Sequence, residues 1–146
     1  MAMRPIDLLI DYVDEDCPNG DITSEAVIPD VTCDAIIIAE NDGIIAGLEE
    51  AEMLFSHFGV MVNPLAGDGD VIRAGDQLLK LSGKARAILL GERTALNIIG
   101  RMSGIATQTR KMADLLATIN PKCRVAGTRK TCPGFRFFDK KAVSIG

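Results

Sequence analysis

From Ala85 to Gly100 the chain reads ARAILLGERTALNIIG, apolar almost all the way round a helix. Such a helix has no broad solvent face, so the rest of the chain must bury it between layers. Arg93, Asn97 and Arg101 interrupt it at intervals of four, within about 80° of one another on a helix of ~3.6 residues per turn. They form one polar stripe. A buried arginine without a partner costs several kcal/mol or more, which leaves two readings. In the first, Glu92 or an acid from the first half of the chain pairs with Arg93. In the second, the stripe faces a ligand.

A length of 146 residues allows one ordinary domain, or a small domain and the beginning of a second. The hydrophobic fraction of 47% is that of a globular protein. No apolar run reaches the ~18–20 residues needed to cross a bilayer. The opening MAMRPIDLLIDYVDED lacks the basic head and small-residue cleavage site of a secretory signal. A cytoplasmic location is the expectation. Cys17, Cys33, Cys123 and Cys132 form no CxxC pair and lie far in sequence from the only histidine, His57. They read as reduced thiols that pack as small apolar residues, with no metal site among them.

The net charge of −4 conceals an asymmetry. Residues 1–70 hold sixteen Asp and Glu against the single base Arg4, whereas residues 71–146 hold four acids and fifteen bases. An anionic ligand would therefore bind the second half, and the two halves would attract each other, within a subunit or across a dimer. Nucleic acid is disfavoured, since the bases are scattered among apolar residues and aromatics amount to only 4%.

Hydrophobic spacing gives the elements. Pro5 opens a helix whose Ile6, Leu9, Ile10 and Val13 share one face. Turn chemistry at Cys17 to Asp21 leads into an extended stretch, and TCDAIIIAE, Thr32 to Glu40, is a strand. Asn41 to Gly43 reads as a hairpin into a second strand, Glu49 to Phe58 as a helix, and VMVNPLA and QLLKLSG as extended segments. The Gly-Asp turns of GDGDVIRAGDQLLKLSG resemble those of hammerhead carrier domains, without a lysine presented for modification. After the Ala85 helix, Ser103 can cap a second helix that ends at Asn120 and Pro121. A short strand, Cys123 to Ala126, then leads through the polar cluster Thr128, Arg129, Lys130 into a helix from Phe135 to Ala142. In α/β barrels, functional groups cluster where a strand ends.

Four segments in this order, GDITSEAV, ERTALNIIGRMSGIAT, GTRKTCPG and FDKKAVSIG, resemble the quinolinate phosphoribosyltransferase family. Gly127 before TRKT, with Phe135 and its neighbours after it, is similar to archaeal members; many others carry Asp at the Gly127 position. The resemblance implies an α+β fold. An open-faced antiparallel sheet with helices, hammerhead-like, occupies residues 1–104, and the truncated start of an α/β barrel occupies 105–146. It also implies transfer of a phosphoribosyl group from phosphoribosyl pyrophosphate to quinolinate, with loss of carbon dioxide to give nicotinate mononucleotide. Quinolinate carries two adjacent carboxylates, and Arg93, Thr128, Arg129 and Lys130 are the residues implied to bind it, Arg93 from a neighbouring subunit of a homodimer or higher oligomer. Magnesium is implied with the pyrophosphate. The family's chain continues beyond the position of Gly146, so the expectation is a piece of a longer enzyme, inactive alone, with no catalytic residue assignable and with residues after about Ile105 packed on the basic helix, swapped or poorly ordered. Two alternatives stand: the related pyrophosphorylase associated with molybdate transport, and a non-catalytic hammerhead-type binding or dimerisation module.

Overall fold

In the computed structural model, which describes residues 4–146, the chain begins with α1 (Pro5–Asp16). The Arg4 backbone N–H donates to the Asp7 carboxylate at 3.1 Å, satisfying a group outside the helix, and Leu9 and Val13 are buried on the predicted face. The stretch after Asp21 is not extended. It forms α2 (Ile22–Val27), because the Asp21 carboxylate accepts from the Ser24 N–H at 3.0 Å and caps the helix.

Three strands, β1 (Thr32–Ile38), β3 (Met61–Pro64) and β5 (Gln77–Lys84), make an antiparallel sheet in the order β1-β5-β3. β5 is central, with Leu81 opposite both Ala35 and Val62. Its Leu78, Leu79 and Leu81 are buried. The expected hairpin from β1 into the next strand does not form. β2 (Gly43–Ile44) pairs instead with β4 (Val71–Ile72) in a separate two-stranded ribbon. The Gly-Asp turns hold that ribbon: Asp70 accepts from the Gly67 N–H and Asp76 from the Arg73 N–H, each at 2.8 Å. Asp42 accepts from the Ala74 N–H at 2.9 Å, tying the end of the β1 excursion to the second turn.

α3 (Leu48–His57) and α4 (Ala85–Ile119) cover the sheet, with Leu54, Phe55, Leu79, Ala46 and Met102 wholly buried between the layers. Gly47, at φ +99°, lets the chain enter α3 where a Cβ would sit 3.2 Å from the Ile99 Cα. α4 is one helix of 35 residues rather than two, so the division expected at residue 104 falls inside it. Ser103 caps nothing. Its hydroxyl accepts from the Ala46 N–H at 3.0 Å and donates to the Ala46 carbonyl at 3.1 Å, while Thr107 accepts from the Ile44 N–H at 2.9 Å. The short β2 thus finds its second set of partners on helical side chains.

No strand forms at Cys123 to Ala126, where a lone barrel strand would have no neighbour to take its backbone groups. The chain runs irregularly to α5 (Arg136–Ile145), which packs on α4 through Phe138 and Ala142, both wholly buried. Packing on the helix is therefore the outcome for α5, whereas residues 106–119 continue α4 and residues 120–135 are irregular and largely exposed. The cysteines depart from their expected packing role: Cys33, Cys123 and Cys132 are exposed and Cys17 is half-buried, all as free thiols. Cys33 lies on the solvent-exposed start of β1, and Cys123 and Cys132 on the irregular segment.

Candidate functional site

Two groups of basic residues in the second half bear on a site. On the helices, Arg93, Arg101 and Lys141 are bound to acids, whereas Arg86 and Arg110 donate to backbone carbonyls. Arg93 on α4 is exposed rather than buried, and its Nη1 contacts both Asp16 oxygens, at 2.8 and 2.9 Å. An acid from the first half is therefore its partner. Arg101, two turns on, forks onto Asp139 of α5 through Nε and Nη2 at 2.8 and 2.9 Å. The Asp139 hydrogen bond holds the Arg101 guanidinium above its ordinary range, against the opposing pull of burial. Asn97, between them, lines a cavity of about 270 Å³ with Tyr12, Asp16 and Phe135.

Lys141 on α5, which the sequence did not single out, is the most heavily engaged cation. It reaches Glu49 at 2.6 Å, Glu50 at 2.7 Å and Asp68 at 3.7 Å. Burial alone would depress the ammonium, but the hydrogen bonds to Glu49 and Glu50 outweigh it and leave the pKa raised. Glu50 and Asp68 are themselves buried, so removing Lys141 would strand two carboxylates in the interior. The charge asymmetry was the one available signal, since the pairing spans more than ninety residues.

The second group lies on the irregular segment between α4 and α5. Thr128, Arg129 and Lys130 are adjacent and exposed, and the Thr128 hydroxyl accepts from the Lys130 N–H at 3.1 Å, folding the three into a tight turn. Among the described residues, neither Arg129 nor Lys130 makes an ion pair, and no hydrogen bond or ion pair joins Arg93 to this cluster. The fold brings three of the four expected binding residues together and places the fourth elsewhere in its own surroundings. What the cluster offers chemically is a planar five-donor fork, a point charge and a hydroxyl, all facing solvent and suited to a small polyanion.

The segment is anchored at its far end. The Tyr12 hydroxyl donates to the Gly134 carbonyl at 3.0 Å, and its ring stacks on Phe135 with centroids 4.9 Å apart and planes 7° from parallel. The Arg101 guanidinium carbon sits 5.2 Å from the Phe135 centroid. A larger groove, about 890 Å³, runs between β1 and α4, lined by apolar residues such as Ile36, Ile38 and Leu96; neither Arg93 nor the cluster borders it.

The quinolinate phosphoribosyl transferase N-terminal domain model matches residues 21–103, and the C-terminal domain model of the same family matches residues 105–146. A probable nicotinate-nucleotide pyrophosphorylase (carboxylating) of Archaeoglobus fulgidus is 45% identical over 129 residues, covering 88% of this chain and 49% of its own length. Its counterpart in Methanothermobacter thermautotrophicus is 41% identical over 142 residues, covering 97% of this chain and 51% of its own. The solved nicotinate-nucleotide pyrophosphorylase of Francisella tularensis superposes with a TM-score of 0.89 at 33% identity, over 97% of this chain and 50% of that one. The chain thus spans about half the length of the relatives it matches.

Proposed function

Because the chain belongs to the quinolinate phosphoribosyltransferase family, we propose that it serves the transfer of a phosphoribosyl group from phosphoribosyl pyrophosphate to quinolinate, with release of pyrophosphate and carbon dioxide and formation of nicotinate mononucleotide. The observation that carries this reading is the exposed turn that sets Arg129, Lys130 and the Thr128 hydroxyl side by side, with no acid partner to either cation among the described residues. Quinolinate presents two adjacent carboxylates. Arg129 can take one through two parallel N–H donors, Lys130 supplies a second charge, and the Thr128 hydroxyl gives a directional hydrogen bond.

Arg93 serves the site of a neighbouring subunit. Asp16 engages only its Nη1, so Nε and Nη2 remain directed to other acceptors. A homodimer with shared sites follows from this assignment. Once the pyridine nitrogen carries the ribosyl group, the ring itself stabilises the carbanion left by carbon dioxide, so the protein's work is placement and electrostatics. Magnesium enters with the pyrophosphate, held through donor oxygens and water. The described residues supply no cluster of three or more His, Cys, Asp or Glu to hold it. We place the reaction in the cytoplasm; no helix of the described residues is long and apolar enough to cross a membrane.

By itself the chain binds quinolinate weakly and does not turn it over. Calorimetry checks the binding: quinolinate titrated into the chain should give heat that Arg129→Ala abolishes. Equal affinity in that variant would remove Arg129 from the site, and turnover by the chain alone would overturn the inactive assignment.

A further inference from the structure

The cluster at Thr128 to Lys130 sits on a segment with little to hold it. Between Asn120 and Arg136 its own hydrogen bonds are all local: Lys122 N–H to Asn120, Arg124 to the Pro121 and Cys123 carbonyls, Lys130 N–H to Thr128, and Arg136 to Thr131. Such bonds shape the turn without fixing where it stands relative to the helices. The first long-range hydrogen bond is the one from Tyr12, 122 residues away, to Gly134.

We infer that Tyr12 and Arg101 form a clasp on Phe135 that positions Thr128, Arg129 and Lys130, which makes both of them positioning residues for the dicarboxylate site. This rests on the functional reading above. The clasp has three connected parts. Gly134, at φ +84°, turns the chain so that its carbonyl meets the Tyr12 hydroxyl, and a Cβ there would lie 3.5 Å from that oxygen. The Tyr12 ring lies nearly parallel to Phe135, and the Arg101 guanidinium approaches the same ring while both its forked donors are satisfied by the buried Asp139. Phe135 is therefore constrained by α1 and α4 together, five residues after Lys130. Tyr12 is the only tyrosine of the chain, and burial pushes its phenol pKa up, which keeps the hydroxyl a protonated donor.

A cluster whose fork and point charge must meet two adjacent carboxylates is sensitive to displacement, because a misplacement of ~1 Å costs about 10²-fold in well-tuned sites. Tyr12→Phe keeps the ring stack and removes only the donor. In the chain as it stands, exchange of the Phe135 amide, which closes the loop by donating to the Cys132 carbonyl, should accelerate about tenfold while α4 amides keep their protection. Quinolinate affinity by calorimetry should fall by about five- to tenfold, and affinity for the monocarboxylate nicotinate should fall less. Arg101→Lys, which keeps the charge and loses the fork, should move both readouts the same way. Unchanged loop exchange overturns the inference, as does a loosened loop with wild-type quinolinate affinity or an equal loss for both ligands, the signature of a merely structural role. Wild-type chain that binds no quinolinate sinks the functional reading itself and this inference with it.

Discussion

Arg93 and Arg129 carry the same guanidinium, and the fold treats them oppositely. Arg93 lies on a packed helix within reach of Asp16, as Lys141 lies within reach of Glu49 and Glu50 and Lys84 within reach of Asp30. Arg129 and Lys130 lie on an irregular turn that no acid approaches. The positive half of the chain therefore does two jobs. On the helices, Arg93 and Lys141 bind acids of the first half, whereas Arg129 and Lys130 stay unpaired on the exposed turn. A charge count cannot separate the two jobs. Position in the fold does.

The largest test of this contrast is Lys141→Met. It leaves Glu50 and Asp68 buried without a counter-charge, and the loss should be about 3 kcal/mol, the low end for one partner of a buried pair because Lys141 still sees some solvent. Urea unfolding measures it, and a loss below about 1 kcal/mol would show that the cluster is not a staple.

The alkaline limb of stability gives a smaller effect. Lys141 and Tyr12 both have folded pKa values above their ordinary 10.5 and 10.0. A raised folded value contributes stability that is complete below the ordinary value and lost as pH rises through the folded one. The thermal midpoint should hold to about pH 10 and decline beyond it, and the decline should shrink in Lys141→Met. A flat profile in that range would contradict the buried engagement of both groups.

Arg93→Ala should do least. Its pair with Asp16 is exposed, and such pairs contribute little, so the urea midpoint should not shift measurably. A clear destabilisation would place Arg93 with Lys141 among the structural cations and weaken its assignment to a neighbouring site.

Several elements were legible because one local property sufficed. The apolar spacing of α1, α3 and the first half of α4 survives in the structure, as do the turns around Asp70 and Asp76. α2 was missed because six residues are too short for periodicity to register, although Asp21 with Ser24 three positions on was a readable cap. The break placed at Ser103 failed for a different reason. A serine that looks like a helix cap was occupied by the Ala46 backbone, 57 residues away. The Thr128 to Lys130 cluster was visible through its motif, whereas Tyr12, Asp139 and Lys141 were invisible as partners because their contacts span 122, 38 and 92 residues.

By itself the sequence determined most helical and extended propensities, the separation of acid from base along the chain, and the motifs that mark the family; the burial it assigned to the Ala85 helix holds on one face only, since Leu89, Arg93, Leu96 and Asn97 are exposed. Tertiary structure alone decided which strands pair, that α4 runs unbroken, and which cations are spent on acids. The reason is one of range. Periodicity and capping act over a few residues, while an ion pair or a strand pairing depends on distances that exist only after the chain has closed on itself, and Coulomb attraction falls with that distance and with exposure to water. On the α4 stripe, Asp16 stands 2.8 Å from Arg93, a pairing across 77 residues that no local pattern announces.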